Sequence, residues 1–344
     1  MRSIFFIWVA GLLSACNTIN YVGIETYNPA EVTFPENVAK VLIVNNAVPQ
    51  PENTGYEYVL RGETQDTCKA KVDSALFDAC RTLGEAIVEA SYFNDVLLYH
   101  DAVRKDNLAH QDTKLTQEQV ESLCNETGAD AVISIDRLLF DMKKNISTLG
   151  ERYIMGVIDV RMAGVVRSYM PDREAPLATI HMKDSIYWAE SADYMPVLDK
   201  ILPSPENALR GAGEYFGAKV YTNFVPHWEK EVRWYFTGMG ARWKEASAYA
   251  TNEKWDMAEE RWSQLYQGTE NWKSRAKAAS NLALCNEMKG DLKEAYEWAH
   301  KSYDLFKRNY GDKGKSTKLL ELYVKALAER IRSDKKLNVQ FGED

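Results

Sequence analysis

The sequence predicts an α+β protein: a mixed α/β sheet domain with a long antiparallel hairpin, followed by an all-α helical domain. Three patterns carry this prediction. Short apolar runs alternate with helical periodicity between residues 38 and 135. Tyr153 to Tyr169 then alternates apolar and polar residues, and Leu177 to Trp188 returns after a Pro171-Asp172 turn. Beyond Pro226 the apolar residues recur at helical spacing to about Lys335. At 344 residues, with 45% hydrophobic and 27% charged residues, the chain is long enough to build two cores.

The elements follow in order. Val38 to Val44 is short, β-branched and apolar, as a buried central strand requires. Residues 46–67 are polar, hold Pro49, Pro51 and Gly55, and read as a long loop. Val72, Leu76, Leu83, Ile87 and Ala90 give an apolar face to a helix over about 69–90. A short strand at 96–99 and a polar connection over 101–114 come next. Thr116 and Gln119 fit a capping box, Leu115 and Val120 a hydrophobic staple, and Gly128 a C-terminal stop, which together predict a second helix. The strand Ala131 to Ile135 follows, with Asp130 at its entrance. In the hairpin, Ile154, Ile158, Val160, Met162, Gly164 and Val166 share one face, and Asp159, Arg161 and Arg167 the other. Residues 189–204 read as loop. A third helix, about 206–224, closes a domain over 38–225, and residues 226–335 form the helical domain with a tail at 336–344.

Within the helical part, Asn281, Leu282 and Ala283 precede a Gly290-Asp291 turn, and Ala295 follows it. Small residues at 283 and 295 let two helix axes approach closely. This stretch, Ala276 to Lys307, resembles a tetratricopeptide repeat. A weaker copy lies earlier, with Ala246 and Ala258 in the corresponding places and Glu253 where the turn glycine belongs. The helical domain is therefore expected to be tetratricopeptide-like. In such a repeat the first helix lines a groove, so Lys277 and Asn281, one turn apart, are candidate partner-binding residues; Asn281 is also a common structural residue of the repeat.

At the N-terminus, Met1 and Arg2 lead into an apolar run from Ile4 to Leu13 that ends Leu13-Ser14-Ala15-Cys16. The run suits a secretory signal and is too short to span a bilayer as a helix. A small-residue box directly before a cysteine resembles a bacterial lipoprotein signal. That resemblance implies a signal peptide over 1–15 and a palmitate-bearing lipid on Cys16. Residues 16–37, with Pro29, Pro35 and little periodicity, then read as a tether. The whole chain looks like Bacteroidota lipoproteins of unknown function with C-terminal tetratricopeptide-like helices. Its α/β part, on the first strand, Cys124 to Gly128 with Asp130, and the hairpin, resembles the domain of curli-secretion-type lipoproteins. Asn17 follows Cys16, and no acidic residue appears before Glu25. Surface-exported members of that phylum carry acidic residues there, so the resemblance implies an outer-membrane anchor facing the periplasm.

The net charge is −8. Residues 17–240 hold 21 basic and 33 acidic residues, while 241–344 hold 20 and 17. An acidic first domain repels phosphate backbones, so no nucleic-acid partner is expected. Cys68, Cys80, Cys124 and Cys285 match no zinc spacing. Cys68 and Cys80 can pair only if Cys68 lies ahead of the helix; the alternative is buried free thiols. The five histidines show no metal spacing, so neither a metal nor a cofactor is expected. Gly211, Gly213 and Gly217 lie in a predicted helix and read as a close helix–sheet contact, not a nucleotide loop. Asp130, Asp136 and Asp141 are the carboxylates placed to serve acid/base chemistry; the plainer reading is capping and solvent exposure. Seven tryptophans fall between Trp228 and Trp298, suited to helix packing or to stacking on sugars.

These observations lead to the expectation of a membrane-anchored, non-enzymatic envelope lipoprotein that acts as a protein-interaction or assembly scaffold. The alternative is a glycan-binding envelope lipoprotein associated with polysaccharide uptake, and a third reading is a hydrolase using the Asp130 region.

Overall fold

The computed structural model describes residues 19–53, 55–65, 69–149 and 153–342. Cys16 and Cys68 lie outside them. The chain divides into two units, one formed by Ala30–His227 and the other by the residues through Pro29 together with Trp228–Asp344. The first strand, β1 (Ile19–Asn28), belongs to the second unit.

The sheet unit holds β2 (Lys40–Asn45), β3 (Tyr56–Leu60), β4 (Glu63–Thr64), β5 (Asp95–Leu98), β6 (Ala131–Leu149), β7 (Tyr153–Tyr169) and β8 (Ala178–Ala192). Its helices are α1 (Asp73–Ala90), α2 (Gln117–Thr127), α3 (Met195–Ile201) and α4 (Pro205–Val220). The long strand β6 organises the sheet. On one flank it pairs in parallel with β2 near its start and with β3 further along. On the other flank β7 runs antiparallel to it along its length, and β8 runs antiparallel to β7. β5 lies parallel to β2, and β4 antiparallel to β3.

Alternation decides which residues meet which layer. Val41, Ile43, Ile133, Ile135, Met162 and Val166 face one core, together with Leu76 and Leu83 of α1 and Leu209 and Phe216 of α4. Leu42, Val44, Val132 and Tyr169 face the other, with Val120 and Leu123 of α2. The α2 cap forms as its sequence predicts: the Gln119 amide N–H donates to Thr116 Oγ1 at 3.3 Å, and the Thr116 N–H donates to Gln119 Oε1 at 2.9 Å. Gly128 ends the helix at φ +70°, its N–H donating to the Cys124 carbonyl.

Several segments differ from expectation. β3 and β4 lie inside the stretch read as a loop, and α3 inside the loop at 189–204. β6 runs on past Ile135 because its polar half still alternates: Leu138, Phe140, Met142 and Ile146 are buried, while Asp141, Lys143 and Asn145 are exposed. The glycines of α4 divide: Gly211 meets the sheet, where a Cβ would stand 3.0 Å from the Trp188 indole of β8, while Gly213 and Gly217 meet a helix. A Cβ at Gly213 would stand 2.2 Å from the Ala75 carbonyl oxygen, and one at Gly217 2.2 Å from that of Ala79. The reason is that α4 packs beside α1 on the same face of the sheet. Because the obstruction is backbone, Gly217→Val is expected to destabilise the unit by about 3 kcal/mol. A urea midpoint equal to that of the parent would exclude this close approach.

The second unit holds β1, β9 (His227–Phe236) and five helices among the described residues: α5 (Ala241–Thr251), α6 (Trp255–Gln267), α7 (Trp272–Met288), α8 (Leu292–Tyr310) and α9 (Lys315–Gln340). β1 and β9 form a two-stranded sheet. Asn20 bonds to Tyr235, Glu25 faces Lys230 and Tyr27 touches Trp228, so the strands run in opposite directions. Three expectations are corrected here. The stretch read as a tether over 16–37 contains β1, whose Ile24 and Thr26 are buried, and the stretch after Pro226 begins with a strand before it turns helical. The tail read at 336–344 is helical through Gln340.

Between α7 and α8, Gly290 turns the chain at φ +84°, and Ala283 and Ala295 are both fully buried in one cluster. Between α5 and α6 the chain turns at Glu253, with φ +57°. A glutamate thus adopts the left-handed conformation that glycine takes one hairpin later, at a backbone cost glycine would not carry.

Candidate functional site

The three aspartates singled out from the sequence have separate roles. Asp130 accepts the backbone N–H groups of Ala39 and Lys40 at 2.9 and 2.8 Å and ties the entry of β2 to that of β6. Asp141 is exposed on the open face of the hairpin, beside Arg161, Lys183 and Asp184. Asp136 is fully buried where the register of β6 against β7 shifts. Its Oδ1 accepts from Asn46 Nδ2 (3.0 Å) and Ser134 Oγ (2.7 Å). Its Oδ2 accepts from Arg167 Nη1 and the Tyr169 hydroxyl, each at 2.6 Å. Four donors occupy a carboxylate that has about four acceptor sites, so its hydrogen-bonding capacity is filled. The acid/base grouping read at 130, 136 and 141 is therefore corrected, since each carboxylate answers to a different set of partners.

Around Asp136 the network reaches the connection that precedes α2. Asn46 Nδ2 donates to the Thr113 carbonyl, the Leu115 N–H donates to the Tyr169 hydroxyl, and Arg167 grips Asp112 at 2.7–2.8 Å. Burial, and then the charge of Asp136, push the Tyr169 phenol well above its ordinary range. The hydrogen bond from Arg167 holds Asp112 below the usual carboxylate range, against the opposing effect of burial. A carboxylate depressed in the fold stabilises above its unfolded pKa, and that stability is lost as pH falls through the folded value. Acid unfolding is thus expected to draw on Asp112 below about pH 4. Asp112→Asn should flatten that part of the stability–pH curve, and an unchanged slope there would refute the assignment.

In the helical unit, Lys277 and Asn281 both address Phe236, the last residue of β9. Asn281 is fully buried; its Oδ1 accepts the Phe236 N–H at 2.7 Å and its Nδ2 donates to the Phe236 carbonyl at 2.8 Å. The side-chain amide supplies one donor and one acceptor to the backbone at the strand's end. Lys277 is half-buried with its ammonium 5.4 Å from the Phe236 ring centre. Burial, and then the neighbouring Lys273, lower its pKa. The reading of Asn281 as a groove residue is corrected: it is a strand clamp.

The tryptophans divide sharply. Trp262 is fully buried, and Trp234, Trp243, Trp255, Trp272 and Trp298 are half-buried in the two clusters of the unit. Trp228 alone of the seven is largely open, at 67% exposed. Its ring centre lies 4.9 Å from that of Tyr27, which in turn stacks on Phe341 at 6.1 Å. Tyr27 and Trp228 border a cleft of about 360 Å³ whose lining includes Ile24, Glu25, Met288, Arg330 and Asp334.

Beneath the cleft lies Glu287, whose side chain is wholly enclosed. It accepts from Arg233 Nε at 3.0 Å, the Tyr323 hydroxyl at 2.7 Å and Arg330 Nη1 at 2.6 Å. Burial, and then the charge of Glu287, raise the Tyr323 phenol well above its ordinary range. Arg330 is fixed by this one contact, and its remaining N–H groups have no protein partner among the described residues. The arrangement offers a ligand an aromatic wall, apolar sides and a pre-positioned guanidinium. From sequence, the cluster of tryptophans was visible; which ring stays open, and its pairing with Tyr27, depended on the β1–β9 contact.

Fold and cleft together define an α+β protein with a sheet unit, a five-helix unit among the described residues, and a recess built on the strand pair of the latter. Residues 38–236 match a family model described as "Domain of unknown function (DUF8603)", which covers more than half of the chain, and the chain belongs to that family. Residues 244–329 match a second, "Domain of unknown function (DUF6340)". No curated protein matches the chain significantly. Among solved structures it is similar to lipoprotein GNA1162 from Neisseria meningitidis, at 12% identity, covering 47% of this chain and 97% of that one, with a TM-score of 0.18. It is also similar to the hypothetical protein CT253 from Chlamydia trachomatis, at 12% identity over 43% of this chain and 72% of that one, with a TM-score of 0.18.

Proposed function

We propose that this chain is a lipid-anchored, non-enzymatic protein of the bacterial cell envelope, and that its helical unit binds a protein partner. The lipid would sit on Cys16, in an outer membrane with the protein facing the periplasm, and the helical hairpins would serve as tetratricopeptide-like modules. The observation that carries the reading is the cleft beside Trp228. It combines the open Trp228 ring, packed on a half-buried Tyr27, with a guanidinium that Glu287 holds in place while leaving donors unmatched. The cost of ordering such a site is already met by the fold, which favours binding. Among the described residues no helix is long and apolar enough to cross a membrane, so the reading assigns attachment to the lipid. A photo-crosslinking amino acid placed at Trp228 in living cells should yield a discrete protein adduct that Arg330→Glu abolishes. Repeated preparations without such an adduct would count against the reading.

A second reading has its own support. The Tyr27–Trp228 wall beside Arg330 and Asp334 also suits a sugar ring, stacked on its apolar face and hydrogen-bonded at its edge. On a glycan array the mature protein should then retain specific sugars, with Trp228→Ala lowering affinity about tenfold. An array without a binder would remove this reading.

A further inference from the structure

Cys16 is three residue steps from Ile19, the first residue of β1, so the acylated position lies within about 11 Å of that strand's start. Ile19 packs in the same cluster as Phe236, where β9 ends. The chain then forms the loop Thr237-Gly238-Met239-Gly240 and enters α5 through Arg242, Trp243 and Lys244. We propose that this loop rests on the bilayer that holds the lipid, with Met239 entering the headgroup boundary and Arg242 and Lys244 on lipid phosphates. The proposal rests on the lipid-anchor reading and names the surface that the anchor brings down.

Several features fit a lipid surface. Met239 is 93% exposed, more than any other large apolar residue among those described. It is held outward by local structure: a Cβ at Gly238 would lie 2.6 Å from Trp243 Cγ, so the loop closes against the indole. Arg242 and Lys244 are exposed and form no ion pair among the described residues. Lys277 adds a third cation over Phe236. Tyr21, 73% exposed, stands two residues into β1. Of the nearby carboxylates, Glu245 is paired with Arg261 at 3.0 Å, and Glu253 lines the recess beside Ile19 to Val22. An apolar tip, aromatic rings and unpaired cations together are the composition of an interfacial contact, and an anchor so short leaves the adjoining surface little distance from the headgroups.

The test uses the full acylated protein in vesicles of phosphatidylethanolamine and phosphatidylglycerol. A polarity-sensitive dye is attached at Met239→Cys or, as a reference, at Val339→Cys, in a Cys68→Ser background. Val339 is exposed on α9, which meets the far end of β1 through Phe341 and Tyr27, about 30 Å along the strand. Cys80, Cys124 and Cys285 are buried, and burial raises each thiol's pKa, that of Cys80 to about 12, which keeps them from the label. The expected result is a blue-shifted emission at 239, quenched by spin-labelled lipid and weakened by Arg242→Glu with Lys244→Glu, and no response at 339. Protein that floats with the vesicles while the dye at 239 reports water overturns the loop contact and leaves the anchor standing. So does a dye at 239 that is already blue-shifted in vesicle-free Cys16→Ser protein, since another surface then covers the loop. An unmodified Cys16 by mass spectrometry, with no flotation, removes the anchor and the loop contact together.

Discussion

Asp136→Ala is expected to cost the sheet unit about 3–5 kcal/mol, the range for removing one member of a buried ion pair. The loss is not that of one contact. Arg167, with a side chain only 4% exposed, keeps its charge and retains only the partly exposed Asp112 as a charged partner. Ser134, Asn46 and Tyr169 each lose an acceptor in a dry site. Asparagine restores little, because its amide presents a donor where Asn46 or Arg167 already donates. The paired change Asp136→Leu with Arg167→Met should recover much of the loss, since it removes both buried charges. Urea titrations of the three variants decide the matter; a cost for Asp136→Ala near that of an exposed aspartate would mean the network contributes little.

Glu287→Ala is expected to have a comparable effect on the helical unit, about 3–5 kcal/mol. Arg233 would remain almost wholly enclosed with its bond to Glu231, and Tyr323 would lose the acceptor of its hydroxyl. A functional consequence accompanies the loss of stability. Arg330 would no longer be fixed in the cleft wall, so if the cleft binds a partner as proposed, affinity should fall more than the remaining folded fraction explains. Glu287→Gln is the discriminating variant: it keeps the shape but sets an amide donor against Arg233, Tyr323 or Arg330, so it should also fold less stably and, per folded molecule, bind more weakly. Equal affinity in parent and Gln variant would separate Glu287 from the cleft's function.

Local signals were legible in the sequence, and distant ones were not. Thr116 with Gln119, Gly128 and Gly290 act through neighbours a few residues away, and each forms as its pattern requires. The β7 alternation was equally plain, because one face of that strand meets a core along its whole length. β1 and β9 were missed for a physical reason: a two-stranded ribbon is defined by its partner, and the partner lies beyond the entire sheet unit. Without that pairing, Trp228 was one tryptophan among seven, and Asn281 one repeat position among several. The buried role of Asp136 was also hidden, because the residues of its network come from Asn46 just past the end of β2, from β7 and from the connection before α2.

The β1–β9 pairing also sets an order of events in biogenesis. The chain leaves the helical unit after Pro29 and rejoins it only at Trp228. A polypeptide synthesised from its N-terminus delivers β1 first, with its hydrogen-bonding edge open until β9 emerges. Through that interval the sheet unit can mature on its own, while β1 is a template for mispairing with other extended chains. Premature termination anywhere upstream of His227 would therefore release a species with a permanently unmatched edge.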